Sequence, residues 1–322
     1  MEKIVQLIHE HEHFVICGHT GPDGDAIGSC FGLAWALEKI GKKVQVVLEH
    51  IPSKYNVIPG KKFLHPGPIE TLEANVFIAL DCADKGRMGA AKKLFKRAKV
   101  TVCIDHHETN DGFADFNFVD PKASSTAEMV FKLIEKITEP NENIASAIYA
   151  GIISDTGGFR YNATAKSTME IAARLMEMGI PFTQIYDELM YKHRFISGKV
   201  MGLALDNSDQ ALHGRIVYTY VTREMLATLG ADPSDLEGVV EYLMGTRGAD
   251  VSCLVYEKHT LPYTKVSLRS HGPNVGRVAG QLNGGGHQLA AGATVANQSV
   301  PDILMHVLGL LEEEIVRYDQ QQ

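Results

Sequence analysis

The stretch "HFVICGHTGPDGDAIGSCFGLAWALEKIG", residues 13–41, holds one copy of the pattern that decides the fold. It opens on a short apolar run, Phe14 to Cys17, that ends at a turn rich in Gly, Pro and Asp. A run that is apolar at every position fits a strand covered on both faces. After the turn, Phe31, Trp35 and Leu37 recur at helical spacing, which predicts a helix over Ala26 to Ile40 before Gly41 stops it. The turn itself carries His19, Asp23 and Asp25, three potential ligands within seven positions. It reads equally as a metal site, a phosphate loop or a polar turn.

Working outward, "KKVQVVLEH", "NVFIALDCAD", "KVTVCIDHH" and "DFNFVDP" repeat the apolar run, with room for helices between them. Such alternation predicts an α/β fold with a doubly wound, mostly parallel sheet in the N-terminal part. From "ASSTAEMVFKLIEKI" through "FTQIYDELMYKH" the pattern turns helical, and the polar "LDNSDQALHG" precedes a new set of strands, "RIVYTYVT", "DVSCLVYE" and "TKVSLRS". The expected organisation is a first domain over 1–191, a helical linker over 192–212 and a smaller α/β domain over 213–322. A chain of 322 residues, 45% of them hydrophobic, has enough apolar mass for two cores.

Charge narrows the partners. With 31 basic against 39 acidic residues and no long basic run, broad electrostatic binding to long nucleic acid is not supported, while a small anion held by local groups is compatible. Five cysteines, an odd number set mostly in apolar segments, predict free thiols in a reducing cytoplasm. No segment approaches the ~18 apolar residues of a membrane span, so a soluble, unprocessed protein without a membrane partner is expected.

The carboxylates fall at unusual places. Asp23 and Asp25 follow the first strand, Asp81 closes "VFIAL", Asp105 closes "VTVCI" and Asp155 closes "IYAGII". Strand ends in an open parallel sheet share one rim, where ligands bind. Any one of these aspartates reads as well as a cap or turn residue, Asp25 as the cap of the helix starting near Ala26. Five together, with His19, His106 and His107, would repel one another unless a cation neutralised them. Oxygen and imidazole donors favour Mn²⁺ or Mg²⁺ over zinc, and their number suggests two ions sharing a carboxylate. "DGDAIG" is no EF-hand, because Ile27 and Ala34 stand where oxygen ligands are needed. His9, His11 and His13 read as a solvated face, and Cys82 and Cys103 as small core residues.

A second constellation lies in "VSLRSHGPNVGRVAGQLNGGGHQLAAGATV". Arg269 ends a strand, and Gly284, Gly285 and Gly286 precede His287, where a helix start is expected to complete an anion-holding nest. Close packing between strand and helix explains the same glycines equally well.

In order, "GHTGPDGDAIGS", "ALDCAD", "IDHH" and "GIISDTGGFRY" resemble the four metal-site motifs of the DHH phosphoesterases. "SLRS" and "NGGGHQLAAG" resemble the DHH-associated substrate domain that follows them. The arrangement is most similar to the nano-RNase and pAp phosphatase branch. The resemblance implies two Mn²⁺ ions, with Mg²⁺ or Co²⁺ as substitutes: His19 and Asp23 on one, Asp25, His106 and Asp155 on the other, Asp81 bridging. It implies that His107 faces the scissile phosphate and that Asp105 orients the histidines. Arg269, Gly284, Gly285, Gly286 and His287 would hold the terminal nucleotide or its phosphate, and Ser124, Ser125 and Arg160 would line the cleft. Gln288 departs from the pattern, since a lysine often follows the glycine loop.

The implied function is hydrolysis, by a two-metal-activated water, of single-stranded oligonucleotides of two to five residues, of 3′-phosphoadenosine 5′-phosphate (pAp), or of both. A long duplex is not an expected partner, and a monomer or homodimer is compatible. Cyclic di-AMP or linear dinucleotide phosphodiesterase activity is the alternative. A pyrophosphatase ranks below it, because its second domain uses a clamp rich in lysine and arginine. A catalytically inactive nucleotide-binding regulator ranks with it, because that class predicts a missing ligand and every ligand position is filled.

Overall fold

Apolar runs become strands where the sequence places them. A computed structural model describes residues 1–258 and 263–321. The chain divides into two units, Met1–Lys192 and His193–Gln322.

In the first unit, β1 (His13–Cys17), β2 (Lys43–Val47), β3 (Val76–Leu80), β4 (Val100–Asp105) and β5 (Phe116–Val119) form a sheet ordered β2-β1-β3-β4-β5. Every pairing is parallel. Both faces of β3 are buried: Val76, Ile78 and Leu80 enter one core, Phe77 and Ala79 the other. The helices are α1 (Glu2–Glu10), α2 (Gly24–Lys39), α3 (Lys92–Phe95), α4 (Thr126–Ile134), α5 (Glu142–Asp155), α6 (Lys166–Glu177) and α7 (Phe182–Tyr186).

The packing of α2 on α5 decides where the site residues go. Gly24, Gly28 and Gly32 recur every four residues on α2, and α5 lies against them. A Cβ on Gly28 would sit 2.4 Å from the Ala147 carbonyl oxygen, and one on Gly24 2.3 Å from Ser154 Oγ. Only hydrogen at these positions lets the two backbones approach so closely.

The second unit contains α8 (Phe195–Asp206), β6 (Asp209–Ala211), β7 (Ile216–Val221), α9 (Arg223–Leu229), α10 (Val239–Met244), β8 (Val251–Glu257), β9 (Tyr263–Ser270), α11 (Val275–Gln281), β10 (Gly285–Gly286), β11 (Ala290–Ala296) and α12 (Val300–Asp319). Its mixed sheet is ordered β10-β11-β9-β8-β7-β6, with only β7 and β8 parallel. One face packs on α12 through Ile303, Val307, Leu311 and Ile315. Residues 192–212, read as a linker from sequence, carry α8 and β6. Val200 and Ala204 of α8 are fully buried in the core of the other sheet face, and the polarity of "LDNSDQALHG" is that of an edge strand paired only with β7. Among the described residues, no helix is long and apolar enough to cross a membrane.

Candidate metal centre

The sheet order reverses at β1, whose neighbours are β2 on one side and β3 on the other. Chains leaving the carboxyl ends of β1 and β3 diverge, and ligands bind in the crevice between them. His19 follows β1, Asp81 follows β3, and Asp105, His106 and His107 end and follow β4. Asp23 and Asp25 open α2, while Asp155 is the last residue of α5. The close α2–α5 contact carries Asp25 and Asp155 together from opposite directions of the chain.

Three groups of donors lie within 4.8 Å among themselves: His19, Asp23 and Asp81; Asp25, His106 and Asp155; and Asp81, His106 and His107. Asp81 is 3% exposed and belongs to two of them. Its Oδ2 is 3.4 Å from His19 Nε2, and its Oδ1 is 3.8 Å from both His106 Nε2 and His107 Nδ1. Asp81 stands at φ 57°, a left-handed backbone that aspartate tolerates better than most side chains. Its N–H still donates to Ile104 O at 3.1 Å, so the turn swings the carboxylate off the strand without losing the pairing with β4.

The cap of α2 is Asp23, whose carboxylate accepts from the N–H groups of Asp25 and Ala26 at 3.0 and 3.1 Å. That corrects the reading of Asp25 as the cap. Asp25, with no exposure at all, reaches instead to the start of α4, accepting from Thr126 N at 2.7 Å and Ala127 N at 2.8 Å. Ser124 and Ser125, expected to line the cleft, are fully buried: Ser124 Oγ donates to Glu128 at 2.6 Å, and Ser125 caps α4. Their hydroxyls fasten a helix start and are turned away from solvent.

Asp105 orients one histidine, not both. Its Oδ1 accepts from His107 Nδ1 at 2.8 Å and its Oδ2 from Asn110 Nδ2 at 2.7 Å, while His106 Nδ1 faces Ala123 O at 3.4 Å. Sequence reasoning passed over Asn110 and Thr126. Thr126 had a signal in the "SST" that opens a helix pattern, whereas nothing marked Asn110 in "HHETND".

The electrostatics are those of crowded negative charge. Burial, then the carboxylates of Asp81, Asp155 and Asp23, push the Asp25 carboxyl well above its ordinary range. Burial likewise raises Asp155, to about 6. For His19 burial opposes the charge, but hydrogen bonds to Asp23 and Asp81 outweigh it and lift the pKa to about 10. The Asp105 hydrogen bond raises His107, and the same contact with Asn110's holds Asp105 low against its own burial. Protons are thus drawn to this site, as a cation would be. The donors fit a hard or borderline divalent ion: carboxylate oxygen and imidazole nitrogen, with the nearby thiols of Cys17, Cys82 and Cys103 kept neutral by burial.

In the second unit Arg269 is the last residue but one of β9, and its guanidinium meets Glu241 Oε1 at 2.7 Å and Leu268 O at 2.9 Å. The glycine run does not lead into a helix, which overturns the helix start expected at His287. Gly285 and Gly286 form the edge strand β10, and the chain turns through Gln288 and Leu289 into β11. A Cβ on Gly284 would lie 2.3 Å from Gly292 O, so backbone contact explains that glycine. His287 is exposed and pairs across the turn with Ala290. Arg160, also exposed, follows a left-handed turn through Gly157, Gly158 and Phe159 immediately beyond α5.

Residues 13–152 match the model of the DHH family, N-terminal domain, and residues 213–313 that of the DHHA1 domain. The bifunctional oligoribonuclease and PAP phosphatase NrnA of Thermus thermophilus is 32% identical, across 94% of this chain and 90% of its own. The protein of that name from Bacillus subtilis is 27% identical, across 97% and 98%. The crystal structure of an exopolyphosphatase-related protein from Bacteroides fragilis superposes with a TM-score of 0.87 at 26% identity, covering 99% of this chain and 96% of that one. Two domain matches in the order of the two units, and this identity along nearly the whole length, establish that the chain belongs to the DHH family of phosphoesterases.

Proposed function

We propose that this protein hydrolyses phosphoester bonds of short single-stranded oligonucleotides and of pAp, using two divalent ions, Mn²⁺ foremost. The similarity to NrnA supports the substrate class. The observation that carries the reaction type is Asp81, whose two oxygens face different donor groups. In this reading His19 and Asp23 hold one ion, Asp25, His106 and Asp155 the other, and Asp81 both. Such a pair, when bound, lowers the pKa of a water and offsets charge on phosphoryl oxygens.

The chain's own groups do the rest. His107, with Nδ1 fixed on Asp105, a contact that raises its pKa, is assigned to donate from Nε2 to a phosphoryl oxygen. Asn110 holds Asp105, and so the ring, in one orientation. Asp23 is half-open at the rim while His19, Asp25 and Asp105 are buried, so substrate enters from the Asp23 side. Arg269, His287 and Arg160 are assigned to the nucleotide and its phosphates. Arg269 must exchange Glu241 for the ligand to do so, and Gln288 supplies no further charge. Gly284, Gly285 and Gly286 contribute backbone only, and five unpaired thiols agree with a cytoplasmic setting.

The test is hydrolysis of a panel with Mn²⁺ present and absent: pAp, 5′-labelled RNA di- to pentamers, cyclic di-AMP and pyrophosphate. Metal-dependent turnover of pAp or the short RNAs is expected. Turnover of cyclic di-AMP alone would move the substrate class, and no turnover of any member would overturn the enzyme reading.

A further inference from the structure

We propose that Thr126 is a positioning residue that ties the donor groups of the two proposed ions into one unit. The proposal rests on the two-ion reading above and adds to it a residue outside the donor set. Thr126 is fully buried at the start of α4. Its backbone N–H donates to Asp25 Oδ2 at 2.7 Å, and its side-chain Oγ1 donates to Asp81 Oδ1 at 3.1 Å. Asp25 belongs with His106 and Asp155, and Asp81 also belongs with His19 and Asp23. One residue therefore holds a carboxylate of each group.

The geometry assigns a direction to that hold. By engaging Oδ1, the hydroxyl fixes the rotation of the Asp81 carboxylate so that Oδ2 turns toward His19, 3.4 Å away. Each carboxylate oxygen has two lone pairs, so a single donor on it leaves one for a cation. Thr126 is itself anchored from behind. Ser125 caps α4, and the buried Glu128 carboxylate accepts from Ser124 at 2.6 Å, Thr168 at 2.9 Å, Ser167 at 3.0 Å and Lys132 at 2.7 Å. This joins the first turn of α4 to the first turn of α6 without help from Asp25 or Asp81. The helix start is thus a fixed frame from which two otherwise repelling carboxylates are aimed.

The test is titration of metal-free protein with Mn²⁺ by calorimetry, on wild type, Thr126→Val and Thr126→Ser. Valine keeps the shape and the backbone N–H but lacks the hydroxyl. Loss of a group that orients metal ligands costs about 10- to 100-fold in metal affinity. That loss is expected for Thr126→Val, with the Mn²⁺ concentration for half-maximal activity rising alike and KM for pAp at saturating Mn²⁺ unchanged. Thr126→Ser is expected to restore the wild-type isotherm, and the metal-free unfolding midpoint serves as the check on folding. If Thr126→Val binds both ions as wild type does, or if serine fails as fully as valine, the positioning role is overturned. Wild type that binds no Mn²⁺ would instead remove the two-ion reading itself.

Discussion

Asp81 joins two donor groups because it leaves β3 in a left-handed conformation that turns both carboxylate oxygens inward. Asp81→Ala is expected to abolish activity and bind no ion pair, and a variant that still holds two Mn²⁺ by metal analysis would deny the shared role. His107 makes a different prediction. His107→Ala is expected to lower kcat by about 10²- to 10³-fold, as loss of one transition-state donor does, with metal content unchanged. Asp105 raises the His107 pKa, and the donating form of His107 is lost as pH rises through that pKa. In Asp105→Asn the alkaline limb of the kcat profile therefore moves to lower pH; a limb that stays in place separates Asp105 from His107. At this scale the sequence was legible where chemistry clustered. His19, the five aspartates, His106 and His107 declared themselves by charge at strand or helix ends. Asn110 did not, and Thr126 did so only as part of a helix start, because both act through hydrogen bonds to distant carboxylates that only the folded chain brings into range.

Among the elements, α2 and α5 show local propensity losing to packing. Alanine is a better helix former than glycine by about 1 kcal/mol, yet at Gly28 a Cβ would lie 2.4 Å from a backbone carbonyl that cannot turn aside. Gly28→Ala is expected to destabilise the protein by ~1–3 kcal/mol, the usual cost of overpacking, and to weaken Mn²⁺ binding by moving Asp25 from Asp155. Gly202 on α8 is the contrast: exposed, with nothing within 4 Å, its alanine variant is expected to gain about 0.5–1 kcal/mol. Thermal unfolding of the two variants measures both signs, and a stabilised Gly28→Ala would mean the helices can part freely. Buried strands were easy to read because every position is apolar. β6, β10 and β11 escaped because they are polar, two residues long, or made mainly of alanine and glycine. The run Gly284, Gly285, Gly286 looked like a nest because Gly284 and Gly286 serve backbone contact, which leaves the same trace in sequence as anion binding.

For the molecule as a whole, the site couples stability to pH and metal. Folded His19 holds its proton up to about pH 10 against 6.5 when free, so its stabilisation is complete below about 6.5 and lost as pH climbs to 10. Folded Asp155 is raised from 3.8 to about 6, so stability also falls as pH rises through that interval. Asp105, held low, gives the opposite slope only below its ordinary value of 3.8, so above about pH 6 metal-free protein is expected to unfold at lower temperature as pH increases. Metal binding displaces these protons and strengthens with pH. Mn²⁺ at 100 times its Kd adds about 2.7 kcal/mol, and the gap between loaded and metal-free midpoints is expected to widen from pH 6 to 8.5. A constant gap would mean that no proton leaves on binding. The units divide after Lys192, whereas the sequence placed a linker over 192–212; α8 and β6 were read into that linker because a polar edge strand and a linker share a composition.

Cys17, Cys30, Cys82 and Cys103 lie buried in the first unit and Cys253 alone in the second. Each thiol is shielded from an alkylating reagent until its own unit opens. Intact mass after brief exposure therefore counts which half has come apart: four adducts arriving together mark the first, a single adduct the second. The chain's own cysteines thus give a two-channel covalent record of unfolding, with no engineered label.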